Sequence, residues 1–96
     1  MDISFSWDPK KNEINKKKHR ISFEEATTVF YDANARLIND PDHSDLEDRF
    51  IILGLSERLR ILVVCHCYRR SSSQIRIISA RKANKNEQNL YREHLI

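Results

Sequence analysis

Apolar and polar residues alternate from Ile3 to Trp7, with Ile3, Phe5 and Trp7 on one side and Ser4 and Ser6 on the other, the two-residue period of a half-buried strand. So short a segment is expected at a sheet edge. Asp8-Pro9 then opens a helix, because an Asp side chain accepts from first-turn amides and proline at the first helical position gives up no needed donor. That helix is expected over Pro9 to His19. Beyond its proline, Ile14 is its one apolar member, so most of its surface is expected to face solvent or a ligand. Ser22 and Glu25 have the spacing of a capping box, and Phe23, Ala26, Val29 and Phe30 form the apolar stripe of a second helix docked on the core.

Further along, Ala35 to Ile38 reads as a strand that runs into the turn Asn39-Asp40-Pro41-Asp42. Arg49 to Leu55 and Leu59 to Tyr68 read as antiparallel neighbours joined by a short connection at Ser56-Glu57-Arg58. The consecutive apolar residues Ile61 through Cys65 imply burial on both faces, which makes that strand central. Gln74 to Ala80 is a further strand after a polar turn, and Asn84 with Glu87 repeats the capping spacing ahead of a last helix through Leu95. The pattern predicts a two-layer α+β domain: an antiparallel sheet of three to four strands with helices packed to one side.

Length supports one domain, residues 1–96, able to bury roughly 60 to 65% of the surface it exposes when unfolded. No apolar run is long enough to cross a bilayer, and Met1-Asp2-Ile3-Ser4 lacks the features of an export signal, so a cytoplasmic protein is expected. Cys65 and Cys67 are too few for a disulfide framework and project to the same face of a strand.

Charge narrows the function. A basic block runs from Lys10 to Arg20, an acidic block from Asp40 to Asp48, and a second basic block from Arg69 to Lys85 contains no acidic residue; the net charge is +3. Such patches suit a polyanion, and nucleic acid is the first partner to consider. The exposed cations expected to meet it are Lys10, Lys11, Lys17, Lys18, Arg69, Arg70 and Lys82.

With Gly54 as its one glycine, the chain has no Gly-rich phosphate loop, and no nucleotide or other cofactor is expected. In Cys65-His66-Cys67 the imidazole points away from both thiols on a strand, so a metal site there is disfavoured against plain packing.

Cleaving RNA without a metal needs a group that accepts the 2′-hydroxyl proton, one that protonates the leaving 5′ oxygen, and cations that stabilise the charged phosphorane. His19, beside Lys18 and Arg20, is a candidate base, against the alternative of a helix-ending surface histidine. Arg76 and Arg81 flank an apolar strand and suit a phosphate, or else pair with a carboxylate such as Glu47. Glu47 and Arg49 read either as an acid with its phosphate clamp or as a cross-strand ion pair. Tyr91, one turn after Glu87, is either a catalyst or a core residue. Two rivals remain: a non-catalytic RNA- or protein-binding module, and a metal-dependent nuclease built on Asp40, Asp42 and Asp45.

The order of residues adds what composition does not. Phe5-Ser6-Trp7-Asp8-Pro9-Lys10-Lys11, Asn15, Lys18-His19-Arg20-Ile21-Ser22-Phe23-Glu24-Glu25-Ala26, Val29-Phe30 and Asp32 resemble the opening of the BrnT-type toxin family. The likeness continues through Glu47-Asp48-Arg49, Leu53-Gly54, Leu62-Val63-Val64 and Ile75-Arg76-Ile77-Ile78-Ser79-Ala80-Arg81-Lys82-Ala83, then Glu87 and Tyr91. The resemblance implies a ribonuclease toxin of a type II toxin–antitoxin pair with a RelE-like fold, cleaving RNA without a metal. It also implies neutralisation by a BrnA-type ribbon-helix-helix antitoxin, with a homodimer or a toxin–antitoxin heterotetramer as the assembly. By motif position it assigns Lys18, His19, Glu47, Arg49, Arg76, Arg81 and Tyr91 to the site. One departure is Arg20, where the family commonly has a glycine suited to a left-handed helix end.

Overall fold

The structure, a computed structural model, describes residues 2–39, 49–93 and 95. Its strands are β1 (Ser4–Ser6), β2 (Arg36–Asn39), β3 (Phe50–Leu55), β4 (Ile61–Tyr68) and β5 (Gln74–Lys82). Its helices are α1 (Pro9–His19), α2 (Phe23–Thr28), which runs on into a 3₁₀ turn at Val29–Tyr31, and α3 (Lys85–Glu93).

One five-stranded sheet in the order β1-β5-β4-β3-β2 places β4 at its centre, as its doubly apolar sequence requires. This corrects the expected sheet of three to four antiparallel strands. β1 joins as a fifth strand and pairs parallel to β5, Ser4 opposite Gln74 and Ser6 opposite Arg76, so the sheet is mixed. Alternation along β1 reports a buried face and not the direction of its partner.

The expectation of helices on one side is also corrected. Ile52, Leu62, Val64, Ile75, Ile77 and Ala80 pack with Phe23, Ala26 and Val29 beneath α2 and the 3₁₀ turn. Leu53 and Val63 pack with Ala83 and Tyr91 beneath α3 on the opposite face. Both cores come from the same strands because successive side chains of β3 and β4 point to opposite faces. Gly54 lets β3 approach the 3₁₀ turn: a Cβ there would lie 3.1 Å from the Val29 Cβ and 3.2 Å from that of Ala35.

Helix α1 begins and ends as its sequence predicts. Asp8 accepts from the Lys10 amide at 2.9 Å, and the helix closes through the Arg20 amide on the Lys16 carbonyl. Arg20 takes the left-handed conformation, φ 62 and ψ 27, that a glycine would reach without strain. The docking of α1 departs from expectation. Ile14 is 62% exposed, while Asn12 and Asn15 are its buried residues. The Asn15 amide donates to the Ala80 carbonyl at 2.7 Å and the Ile21 carbonyl at 2.9 Å, and its oxygen accepts the Ala80 amide at 3.2 Å. β1 pairs with β5 only as far as Arg76, and Asn15 satisfies backbone of β5 beyond that point as a further strand residue would. Asn12 accepts the Phe23 amide at 2.8 Å and donates to Glu24 at 2.9 Å, binding α1 to the first turn of α2.

The first capping box forms only in half. Ser22 accepts the Glu25 amide at 3.0 Å, but the Glu25 carboxylate turns inward, accepting from Ser56 at 2.7 Å and from two nitrogens of Arg60. Burial favours the neutral form of Glu25, and the Arg60 and Ser56 donors outweigh it to lower the pKa. The Asn84–Glu87 box is complete, with amide-to-side-chain bonds of 2.9 and 2.8 Å in the two directions.

Candidate active site

β5 carries two of the sequence-predicted arginines and organises the rest. Between Cys65–Ser79 and His66–Ile77 the register with β4 slips, leaving Ile78 without a partner on β4. This bulge lets Ile77 and Ala80 share the core beneath α1 and α2.

At one end of β5, Arg76 lies opposite Cys67 on β4 and Ser6 on β1. Arg49 precedes the first β3 pair, Phe50 with His66, and the same register carried one residue further sets it level with Cys67. Arg49 and Arg76 thus stand on either side of one central strand, their backbones about 10 Å apart. Both are half-buried. The Arg76 guanidinium makes no hydrogen bond or ion pair with a described residue. Arg69 and Arg70 are exposed in the turn joining β4 to β5, close to this row, and Arg69 donates its amide to the Gln74 carbonyl at 2.8 Å. Glu47 lies outside the described residues, as do His43, His94 and the acidic positions 40, 42 and 45.

At the other end, Arg81 is committed. Two of its guanidinium nitrogens donate to the two Glu87 oxygens, both at 2.8 Å. The Arg81 partner holds Glu87 below the usual carboxylate range, and Glu87 raises Arg81 in turn. Pairing with a carboxylate was one sequence expectation for an arginine of this strand, and the partner is Glu87. Tyr91 is 5% exposed and donates to Asp32 at 2.7 Å. Burial, then the Asp32 carboxylate, push its hydroxyl up to about 12. Asp32 itself is lowered despite burial, because it also accepts the Leu55 and Asn34 amides.

α1 follows directly on β1 and reaches Ala80 through Asn15, so it runs alongside β5. Lys10 and Lys11 lie at its start, and Lys17 and Lys18 are exposed at its far end. His19 follows Asn15 by one turn and is half-buried. The structure therefore groups Arg49 and Arg76, with Arg69 and Arg70 nearby, and sets His19, Lys17, Lys18, Arg81 and Lys82 toward the other end of β5. Among the described residues no hydrogen bond or ion pair joins His19 to Arg76 or Arg81.

The sequence offers His66 only as a member of the Cys65-His66-Cys67 cluster, and the structure shows where its imidazole goes. It is fully buried, with Nδ1 3.3 Å from the Val64 carbonyl oxygen and Nε2 3.3 Å from the Tyr68 hydroxyl, and its ring meets Phe30 edge-on at 4.8 Å. Burial pulls its pKa down to about 4. It faces away from Cys65 and Cys67, which are not joined by a disulfide. Among the described residues no three His, Cys, Asp or Glu side chains gather as a metal site.

The model of the family described as ribonuclease toxin, BrnT, of type II toxin–antitoxin systems matches residues 7–87. The chain belongs to the BrnT family. A BrnT protein is a ribonuclease toxin, and membership in a type II system entails an RNA target and a cognate antitoxin. The fold is also that of the ribonuclease toxin BrnT of Brucella abortus, whose crystal structure superposes with a TM-score of 0.64 at 21% identity, covering 86% of this chain and 99% of that one. No curated protein matches the chain. The aligned family segment contains every sequence-predicted site residue except Tyr91. Among the described residues no helix is long and apolar enough to cross a membrane.

Proposed function

We propose that this BrnT toxin cleaves RNA by internal transesterification without a metal, with the scissile phosphate held between Arg49 and Arg76. The observation that carries the reading is the Arg76 guanidinium: half-buried on a sheet face, level with Arg49 and uncommitted to any described carboxylate. Two planar cations carried level with each other on different strands suit the non-bridging oxygens of one phosphate and gain strength as negative charge grows on them. A base removes the 2′-hydroxyl proton, the 2′ oxygen attacks phosphorus, and the 5′ oxygen leaves with a proton. The products are a 2′,3′-cyclic phosphate and a 5′-hydroxyl.

Glu47, two positions before Arg49 in the chain, and His19 compete for the role of base. Arg81 and Tyr91, committed to Glu87 and Asp32, fasten α3 to the sheet in this reading. Lys10, Lys11, Lys17, Lys18, Arg69, Arg70 and Lys82 draw the RNA along β5. The antitoxin is of the BrnA type with a ribbon-helix-helix fold, the toxin domain acts in the cytoplasm, and toxin and antitoxin assemble as a heterotetramer. The fold is of the RelE-like kind.

Single-turnover cleavage of an oligoribonucleotide in chelator tests the chemistry. Arg76→Ala and Arg49→Ala are expected to slow it at least 100-fold. Of Glu47→Gln and His19→Gln, the one that removes the base costs about 10²- to 10⁴-fold and the other under about tenfold. Full activity in Arg76→Ala, or activity lost to the chelator and restored by a divalent cation, overturns the proposal.

A further inference from the structure

The β3–β4 connection is strained at an exposed apolar residue. The Leu59 amide donates to the Ser56 carbonyl at 2.9 Å and the Ser56 amide to the Arg60 carbonyl at 2.9 Å, closing a tight turn. Leu59 occupies its left-handed position, φ 62, where glycine sits without strain. Its side chain is 79% exposed, more than any other large apolar side chain described. A leucine held at a backbone cost with its side chain in solvent does nothing for the core, and such outliers concentrate where a surface is used.

Leu59 stands at the rim of a hollow of about 350 Å³ between the start of β4, the end of β5 and α3. Arg60, Lys82, Gln88 and Arg92 supply its polar lining, and no Asp or Glu among the described residues lines it. Arg60 is tied to Glu25, and the Gln88 amide donates to the Ala83 carbonyl at 3.1 Å. The ammonium of Lys82 and the guanidinium of Arg92 make no hydrogen bond or ion pair with a described residue.

We infer that this hollow is a nucleotide subsite for single-stranded RNA: Lys82 and Arg92 take a phosphate, and Leu59 packs against the face of the adjoining base. The assignment rests on the ribonuclease reading and deepens it. Lys82 lies six residues along β5 from Arg76, about 20 Å, so the subsite holds RNA at a distance from the scissile phosphate. A free phosphate would use the two cations but has no need of an exposed leucine beside them. A nucleotide uses both.

The test is binding of a 2′-O-methyl oligoribonucleotide, which lacks the attacking hydroxyl, to the purified full chain by fluorescence anisotropy across a salt series. Leu59→Gly is expected to weaken binding about fivefold or more while raising the thermal midpoint, because it removes the apolar contact and the backbone strain together. A purely structural leucine gives the rise in midpoint without the loss of affinity. Lys82→Gln with Arg92→Gln is expected to reduce the slope of log affinity on log salt by about 1.4, two contacts at about 0.7 each for a single strand. A parent that binds while these variants keep its affinity and slope overturns the subsite alone. A parent with no affinity for the oligonucleotide overturns the subsite and the RNA-binding reading with it.

Discussion

Replacing Asn15 by Ala tests whether α1 is held by an amide in place of an apolar stripe. The substitution removes three hydrogen bonds at 2.7, 2.9 and 3.2 Å, and leaves the amide and carbonyl of Ala80 and the carbonyl of Ile21 without these partners. Each buried bond contributes about 1 kcal/mol net, and each orphaned group costs about 1–3 kcal/mol unless water reaches it. Asn15 is 6% exposed, so water re-entry is partial and the expected loss is about 2–4 kcal/mol. In a chain of 96 residues that lowers the thermal midpoint by about 10–25 °C. Urea unfolding followed by tryptophan fluorescence is a suitable assay, since the single Trp7 sits beside Phe23 at 6.1 Å and reports the packing of α1 and α2.

Two companion variants make the reasoning refutable. Ile14→Ala is expected to change stability by under about 0.5 kcal/mol, because Ile14 is 62% exposed and alanine has the better helix propensity. Asn15→Asp retains an acceptor for the Ala80 amide but sets a carboxylate against two carbonyl oxygens. Its folded pKa then lies above the unfolded value near 3.9, so its protonated form is favoured in the fold and its deficit relative to the parent shrinks as pH falls toward 4. If Ile14→Ala costs more than Asn15→Ala, or the Asp deficit grows on acidification, α1 docks in some other way.

Arg20→Gly is expected to stabilise the protein by about 0.5–1 kcal/mol, since relief of about 1–2 kcal/mol of left-handed strain exceeds the added freedom of the unfolded chain; an unchanged or lowered thermal midpoint contradicts this. His66 has a folded pKa of about 4 against 6.5 unfolded, so its neutral burial costs nothing above pH 6.5. The unfolded state takes up the proton as pH falls through that window, removing on the order of 3 kcal/mol by pH 4. The loss between pH 6.5 and 5 precedes titration of the lowered carboxylates, and urea midpoints of His66→Leu should lack it. Tyr91→Phe should cost about 1–2 kcal/mol through the Asp32 bond while the cleavage rate per folded molecule stays within about threefold of the parent; cleavage lost from a fully stable variant returns Tyr91 to the catalytic list.

What was legible in the sequence is what rests on side-chain period and on local caps. The doubly apolar run Ile61 to Cys65 places β4 at the centre, and Asp8-Pro9 and Asn84 with Glu87 set two helix starts, because each signal is complete within a few residues. What was not legible depends on partners distant in the chain. Nothing within Ile3 to Trp7 states that its neighbour is β5 or that the pairing is parallel. Glu25 has the spacing of a capping residue and leaves it for Arg60, 35 positions away. An asparagine in a charged helix looks like solvent-facing surface, and only the early end of β1 leaves Ala80 the unpaired backbone that an amide can fill.

An arginine on a strand is equally consistent with an ion pair and with a phosphate, and the choice turns on whether a carboxylate has a better claim. Arg81 has Glu87 six residues ahead, already fixed by the start of α3, so both of its hydrogen-bonding arms close on a partner that exists before any RNA arrives. At Arg76 the neighbours across the sheet are Cys67 and Ser6, neither of which carries charge. A half-buried guanidinium has lost part of its hydration, and an anion that supplies the missing partner gains more there than at a solvated lysine. That difference between two arginines of one strand favours Arg76 over Arg81 for the proposed phosphate contact. It also predicts the order of their substitutions: Arg76→Lys should lose most of its cleavage with little change in stability, and Arg81→Lys should lose stability first, because a single ammonium cannot replace a two-armed grip on Glu87.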